Sequence, residues 1–538
     1  MPAWLKDAVF YEIYPQSYND TNGDGIGDLE GIIEKLDYIK SLGFNALWLN
    51  PCYDSPFRDA GYDVRDYRKI APRYGTNEDA VRLFREAHRR GIHVLFDLVP
   101  GHTSEEHEWF RMSSRREKNE YSGRYIWSDF CFQGMDGYRI IAGEAERGAT
   151  YMINFFKCQP ALNYGFLHKT EPWQTAVGDP DAVATVEAIK DIIRFWLDLG
   201  LDGFRVDMAD SLVKGDDDRK TGTSAIWRNV RAMLDAEYPE AAFVSEWSRP
   251  ELSLPAGFHM DFILNNSDQA FGTLVRDYQN HTDRIIQGGD GFIGNGKPAP
   301  AFEDHSYFKK DAGGTVTKFS AQYTEMLQKT RKQGYISLIT CNHDTVRPRF
   351  NMGYDELKLF YAFLFTMPGV PFLYYGDEIG MRYLDLPTKE GGYFRTGSRT
   401  PMQWNHETNY GFSDADPSKI YLPQDPAADA PTVADQEKDP RSLLNTVRSV
   451  LALRHAEKDL QADGEFASVF ESDENPLFVY RRGGLILAVN PSGSARSAEL
   501  PAVYRSEMKP VCTIGSGAYT GGKVTLGPQS FAVFRPEN

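Results

Sequence analysis

Five short polar segments hold the residues of this chain that could do chemistry: Gly61-Tyr62-Asp63, Asp97 to His102, Arg205-Val206-Asp207, Ser245-Glu246-Trp247 and Asn342-His343-Asp344. Arg205 and Asp207 stand two apart, so on a strand both face one side. A guanidinium beside a carboxylate lowers its pKa and keeps it ionised, as a carboxylate nucleophile requires; the same pair serves equally as a structural ion pair inside a sheet. Glu246 lies between Val244-Ser245 and Trp247, an apolar setting that raises a carboxyl pKa toward general-acid duty. An ionised Asp and a protonated Glu on neighbouring strands make the two-carboxylate machinery that cleaves glycosidic bonds. In its retaining form the pair lies about 5 Å apart and passes through a covalent glycosyl-enzyme. His343-Asp344 offers a third carboxylate from farther along the chain.

These segments must be positioned by elements, and each one ends an apolar run. Ile32, Ile33, Leu36, Ile39 and Leu42 recur at helical spacing, Gly43 stops the helix, and Phe44 to Leu49 reads as a buried strand. Ala80, Val81, Phe84, Ala87 and His88 with Gly91 precede strand Ile92 to Asp97; Val186, Ile189, Ile193, Trp196 and Leu197 with Gly200 precede Asp202 to Asp207. Further strands are expected at Val9–Tyr14, Ala242–Glu246, His259–Leu264, Ile336–Cys341 and Pro371–Tyr375. Strands alternating with helices fit a closed (β/α)8 TIM barrel or an open doubly wound sheet. The barrel explains why every strand ends in polar residues, because those ends form the rim of one pocket.

The alternation stops between about Thr103 and Gly178, which reads as a subdomain inserted after the third strand. A stretch from Met381 to Pro440, rich in Pro, Gly, Asp and Thr, reads as a loop layer over the rim. After Leu460 short alternating strands such as Leu477–Arg481 and Leu485–Asn490, joined through Gly483-Gly484, predict a C-terminal antiparallel β-sandwich. The expected domains are therefore a catalytic barrel over 1–102 and 179–459, an insertion over 103–178 and a β domain over 460–538.

A formal charge of −17, with acids spread along the chain, repels phosphate backbones and anionic membranes, which excludes nucleic acid and membrane as partners. No leader pattern precedes the first strand and no apolar run reaches the length of a membrane span. Cys52, Cys131, Cys158, Cys341 and Cys512 have no paired spacing, which points to reduced thiols and a cytoplasmic protein. Aromatic residues make up 13%, suiting either sugar-stacking faces or a large core.

The segments Asp97-Leu98-Val99-Pro100-Gly101-His102, Gly203-Phe204-Arg205-Val206-Asp207, Glu246-Trp247 and Asn342-His343-Asp344 resemble, in order and spacing, the motifs of glycoside hydrolase family 13, the α-amylase superfamily. The likeness runs from residue 5 to about 405, and its branch is that of oligo-1,6-glucosidases, α-glucosidases and trehalose synthases. The resemblance implies that Asp207 is the nucleophile, Glu246 the acid/base and Asp344 the group that binds hydroxyls and stabilises the transition state. It also places Asp63, His102, Arg205 and His343 around the sugar, with Tyr62 stacked on its ring or packed in the core. Arg399, in Gly397-Ser398-Arg399-Thr400-Pro401-Met402-Gln403-Trp404, resembles an arginine that closes the same subsite.

Asp20, Asn22, Asp24 and Asp28 fall at positions 1, 3, 5 and 9 of a calcium-type loop, with the Ile26 carbonyl at 7 and Gly25 at 6. Gly31 stands where an EF-hand needs Glu, so this is not an EF-hand. The branch resemblance implies a structural Ca²⁺ here; an ion-free Asx-type turn is the alternative. No organic cofactor is expected. Two positions depart from the family pattern: Gly101 stands where Asn is usual and Ala161 where Asp is usual in this branch. Met208, beside the nucleophile, matches neither the α-1,6 nor the α-1,4 pattern. The expected function is a retaining, exo-acting α-glucosidase, monomeric or dimeric, that takes short oligosaccharides or α-glucosides. A transglycosylase or isomerase like trehalose synthase or sucrose isomerase is the alternative, and a catalytically inactive sugar-binding homologue is a third.

Overall fold

The structure, a computed structural model, describes residues 1–135, 137–263, 269–277, 304–391 and 395–537. Eight parallel strands follow one another round a single sheet: β1 Phe10–Ile13, β2 Ala46–Leu49, β3 His93–Leu98, β4 Gly203–Val206, β5 Ala242–Ser245, β6 Met260–Ile263, β7 Tyr335–Leu338 and β8 Phe372–Tyr374. β1 pairs with both β2 and β8, and a parallel bridge from Ile339 to Phe372 joins the β7 end to β8. The sheet therefore closes as the expected (β/α)8 barrel. Of the predicted strand His259–Leu264, the last residue lies outside the described residues.

Alternation decides what each strand sends inward. Phe10, Ala46, Trp48, Leu95, Val244, Phe262 and Phe372 fill the barrel, while Tyr11, Leu47, Phe96 and Phe204 pack outward against the helices. The helix before β3, Asn77–Arg89, begins with a capping box between Thr76 and Asp79 and ends before Gly91 at φ 68. Its buried stripe is Ala80, Leu83, Phe84 and Ala87, with His88 exposed instead of inward. The helix expected before β2 is two helices, Leu29–Glu34 and Leu36–Leu42, broken at Lys35. Its apolar stripe survives the break, which is why spacing alone reads it as continuous.

Between β3 and the helix Pro180–Asp198 the inserted segment has its own cluster of Ile126, Met135, Met152, Ala161 and Phe166. It returns to the rim through a bridge between His102 and Ala161. The C-terminal strands β9 Phe466–Phe470, β10 Phe478–Arg482, β11 Leu485–Asn490, β12 Arg496–Glu499, β13 Met508–Ile514, β14 Gly517–Thr520, β15 Lys523–Leu526 and β16 Ser530–Pro536 form two antiparallel sheets, ordered β9-β10-β11-β16-β13 and β12-β15-β14. Val479, Ile486, Ala488, Val524, Leu526 and Phe534 share one core there. Among the described residues no helix is long and apolar enough to cross a membrane, and the five cysteines are unpaired.

Candidate active site

Register on β3, β4 and β5 brings the rim acids onto one guanidinium. Asp97 pairs with Arg205, and Arg205 with Val244, so Asp97, Arg205, Asp207 and Glu246 all project inside the barrel. Arg205, 1% exposed, donates through Nη1 to Asp97 (2.7 Å) and Asp207 (3.0 Å), and its Nη2 lies 2.7 Å from Glu246. Three carboxylates thus share one cation. The expectation that Arg205 holds Asp207 low is not met: burial pushes its carboxyl up to about 7, with Arg205 pulling it back and Asp97 repelling it further. Burial also pushes Glu246 up to about 7, against Arg205 and with Asp207. That is the expected direction, although Glu246 faces charged groups and not only apolar ones. Groups this close titrate as a set, and one proton held between Asp207 and Glu246 leaves one to attack and one to donate.

Met208 takes a left-handed conformation at φ 44 and aims its N–H at Glu246 Oε2, 3.1 Å away. Such backbone strain costs on the order of 1–3 kcal/mol in a non-glycine residue; here it directs a donor at the Glu246 carboxyl. Across the site, burial opposes ionisation of Asp344, but Arg395, His343 and Arg399 outweigh it and hold the carboxyl far below its usual range.

A cavity of ≈ 200 Å³ lies over these groups, lined by Tyr62, His102, Asp207, Met208, Glu246 and Asp344 together with Asp59, Arg395, Phe155 and Phe156. It is smaller than the roughly 300–1,000 Å³ of most ligand pockets, a size for one compact ring. Tyr62 donates to Asp97 at 2.9 Å and its ring stacks on His343, with centroids 5.3 Å apart. Four of the expected sugar-facing residues lie outside the cavity lining, and one of them, Arg205, is buried beneath the acids it holds. His343 is completely buried beneath Tyr62, its Nδ1 near Asn50 and Glu12. Asp63 turns away from the cavity because Ala60 (φ 54) and Gly61 (φ 98) reverse the chain; its carboxylate accepts from Ser55 Oγ and the N–H groups of Arg58 and Asp59. Arg399 stands behind Asp344, donating to the His343 carbonyl at 2.9 Å and to Asp344 at 2.7 Å. The arginine of the wall is Arg395, one turn earlier, which bridges Asp344 (2.9 Å) and Asp59 (2.7 Å).

The 20–28 loop curls through successive Asx turns. Asp20 accepts from the N–H groups of Asn22, Gly23 and Gly25, Asn22 from that of Asp24, and Asp24 from that of Ile26. Asp28 caps the following helix through Gly31 N–H and also accepts from Thr21. Among the described residues no three acidic, His or Cys side chains converge closely enough to hold a metal by themselves. A cation here would need the Asn22 amide and Ile26 carbonyl oxygens as well as the carboxylates. The donor set is all oxygen, as a hard cation prefers.

The family profile described as Alpha-amylase, "Alpha amylase, catalytic domain", matches residues 12–253 and 296–463. The chain belongs to the alpha-amylase family. This family 13 chain is 34% identical over 509 residues to the trehalose synthase/amylase TreS of Mycolicibacterium smegmatis, covering 89% of this chain and 80% of that protein. It is 31% identical over 558 residues to the oligo-1,6-glucosidase of Heyndrickxia coagulans, covering 93% and 94%. Among solved structures, an isomaltulose synthase variant from Erwinia rhapontici NX5 in complex with sucrose superposes with a TM-score of 0.78 at 25% identity, both chains being fully covered. The alpha-amylase-family chain is thus a glycoside hydrolase family enzyme acting on an oligosaccharide or glucoside.

Sequence reasoning missed four residues of this family 13 pocket: Asp59, Arg395, Phe155 and Phe156. Asp59 was within reach, since the Asp59-Ala60-Gly61-Tyr62-Asp63 segment offers two acids. The phenylalanines lie in the inserted segment, where no periodicity orients them.

Proposed function

We propose that the protein is a retaining, exo-acting α-glucosidase that removes a terminal glucosyl unit and also transfers it to sugar acceptors. The observation that carries this reading is the pairing of Asp207 and Glu246 on the two terminal nitrogens of Arg205, a close arrangement of the kind retaining enzymes use at roughly 5–5.5 Å. Asp207 attacks the anomeric carbon while Glu246 protonates the glycosidic oxygen, so the aglycone leaves as a neutral alcohol. Asp344, kept ionised by Arg395 and Arg399, accepts hydrogen bonds from ring hydroxyls as positive charge develops. Glu246 then takes a proton from water or from an acceptor hydroxyl, which displaces Asp207. Exo action is supported by the small cavity and by the Asp59–Arg395–Asp344 bridge across its wall.

A second reading, disaccharide isomerisation of the trehalose synthase or sucrose isomerase type, is favoured by Phe155, Phe156 and Met208, which give the cavity an apolar wall. The names of the relatives at 34% identity and of the structural neighbours point the same way. Both fates share the glycosyl-enzyme. Incubation with maltose, isomaltose, sucrose, trehalose, kojibiose and nigerose, with products identified by chromatography, separates them: free glucose or fructose supports hydrolysis, and a new disaccharide as main product overturns it in favour of isomerisation. For the 20–28 loop we propose a structural Ca²⁺. Its support is the all-oxygen donor set and the lack of any Lys or Arg ion pair to Asp20, Asp24 or Asp28 among the described residues.

A further inference from the structure

Gly101 precedes His102 without adopting a positive φ, so its lack of a side chain serves space and not backbone freedom. A Cβ built on it would lie 2.8 Å from Nδ2 of Asn154. The amide that occupies this space sits 3.1 Å from His102 Nδ1, and the other ring nitrogen, Nε2, lies 3.0 Å from the Tyr62 carbonyl. A carbonyl only accepts, so Nε2 carries the ring proton and Nδ1 needs a donor. Asn154 supplies it. Burial lowers His102 to about 4, with Asp59 pulling it up and Lys214 pushing it down, so the ring is neutral at pH 7.

Asn154 also begins the segment that brings aromatic residues to the cavity. Phe155 follows, its ring 6.1 Å from that of His102 at 83°, and both Phe155 and Phe156 line the pocket. At the other end of the segment Gln159 donates to Asp59 at 2.7 Å and accepts from Phe156 N–H at 3.1 Å. The segment is thus tied to the pocket at both ends.

We propose that Asn154 is a positioning residue: in the space left open by Gly101, its amide fixes the tautomer of His102 and through that ring holds Tyr62 and the Phe155–Phe156 wall against the bound glucosyl unit. The proposal rests on the reading of this cavity as the glucosyl site. With the wall loosened, water competes better with a sugar acceptor for the glycosyl-enzyme, so the hydrolysed share of the product rises.

The test is steady-state kinetics with an aryl α-glucoside, and product ratios with maltose, for Asn154→Ala, Asn154→Asp, Gly101→Ala and the Gly101→Ala/Asn154→Ala double variant. Each single variant is expected to raise KM by about 3–10-fold, the net worth of one hydrogen bond, with kcat changed less than about two-fold. The free-glucose share should rise with it. Asn154→Asp keeps the size but replaces the donor to Nδ1 with an acceptor that favours a doubly protonated ring, so its KM should rise at least as much as in Asn154→Ala, whereas a space-filling role predicts parental KM. Both positions act on one bond, so the double variant should be no worse than the worse single one. Parental KM in Asn154→Asp, or additive losses in the double variant, overturn the proposal. Asp207→Ala in the parent distinguishes the two levels: persisting turnover there overturns the reading of the site itself. Asp207-dependent turnover with parental Asn154 variants overturns only the positioning role.

Discussion

A guanidinium shared by Asp97, Asp207 and Glu246 neutralises one charge of three, so the acids raise one another and burial raises them all. The proposed mechanism needs Asp207 ionised and Glu246 protonated. With both pushed up to about 7, the singly protonated pair peaks near neutrality, and kcat/KM should trace a narrow bell centred near pH 7. Glu246→Gln removes the proposed acid/base while keeping its size. Turnover of maltose should fall by about 10²–10⁴-fold, with a smaller loss for an aryl glucoside whose leaving group needs no proton. The acid limb should stay in place, because Glu246 is already neutral on that side of the bell, and the alkaline limb, which reports loss of the Glu246 proton, should disappear. A surviving alkaline limb would show that the proton lost there is not that of Glu246. The acids were legible in the sequence because each ends a strand whose alternation fixes its direction. Their electrostatics were not: Arg205 looked like the partner of Asp207 alone, and only the register of β4 against β3 and β5 reveals that it serves three. Asp63 and Arg399 were misplaced for a related reason, since both lie in loops where a single positive φ or one extra turn redirects a side chain.

At the level of elements, the catalytic geometry depends on how closely β4 approaches β5. Gly203 opens β4 at φ 146, and a Cβ there would fall on the Ala242 carbonyl oxygen, its own register partner. β4 carries Arg205 and Asp207, and β5 leads directly to Glu246. Gly203→Ala should therefore cost stability through both overpacking, typically 1–3 kcal/mol, and an unsuitable φ. It should show a lowered Tm and poor soluble yield. Gly134→Ala, with no atom within 4 Å of its Cβ and no positive φ, should leave Tm unchanged. Equal Tm values for the two variants would remove the close strand contact as a determinant. The repeating helix, glycine stop and strand were readable because periodicity and glycine are local signals. The inserted segment was readable only as an interruption: its fold rests on contacts such as the His102–Ala161 bridge, which no spacing encodes.

On the scale of the whole molecule, the 20–28 loop joins parts distant in sequence. Asp20 N–H donates to the Phe412 carbonyl (2.8 Å), Ser413 Oγ donates to Asp20 (2.5 Å), Tyr421 N–H donates to the Gly25 carbonyl (3.0 Å), and Leu29 N–H donates to that of Tyr74 (3.0 Å). The loop thus clamps the layer that runs past Arg395 and Arg399 to the start of the barrel, while its own acids stay outside the glucosyl pocket. A Ca²⁺ bound there would neutralise part of a chain carrying −17, and it would stabilise the folded state in proportion to ligand excess, by about 2.7 kcal/mol at a hundred-fold excess over Kd. Chelation should then lower Tm by several degrees while kcat/KM at 25 °C changes less than about two-fold, because no reacting group touches the ion. Adding Ca²⁺ back should restore Tm, and Asp24→Asn should abolish both responses by removing a ligand charge. A melting curve indifferent to chelator would assign the loop to its Asx turns alone, whereas parallel loss of Tm and activity would mean that the clamp reaches Asp344 through Arg395 and Arg399.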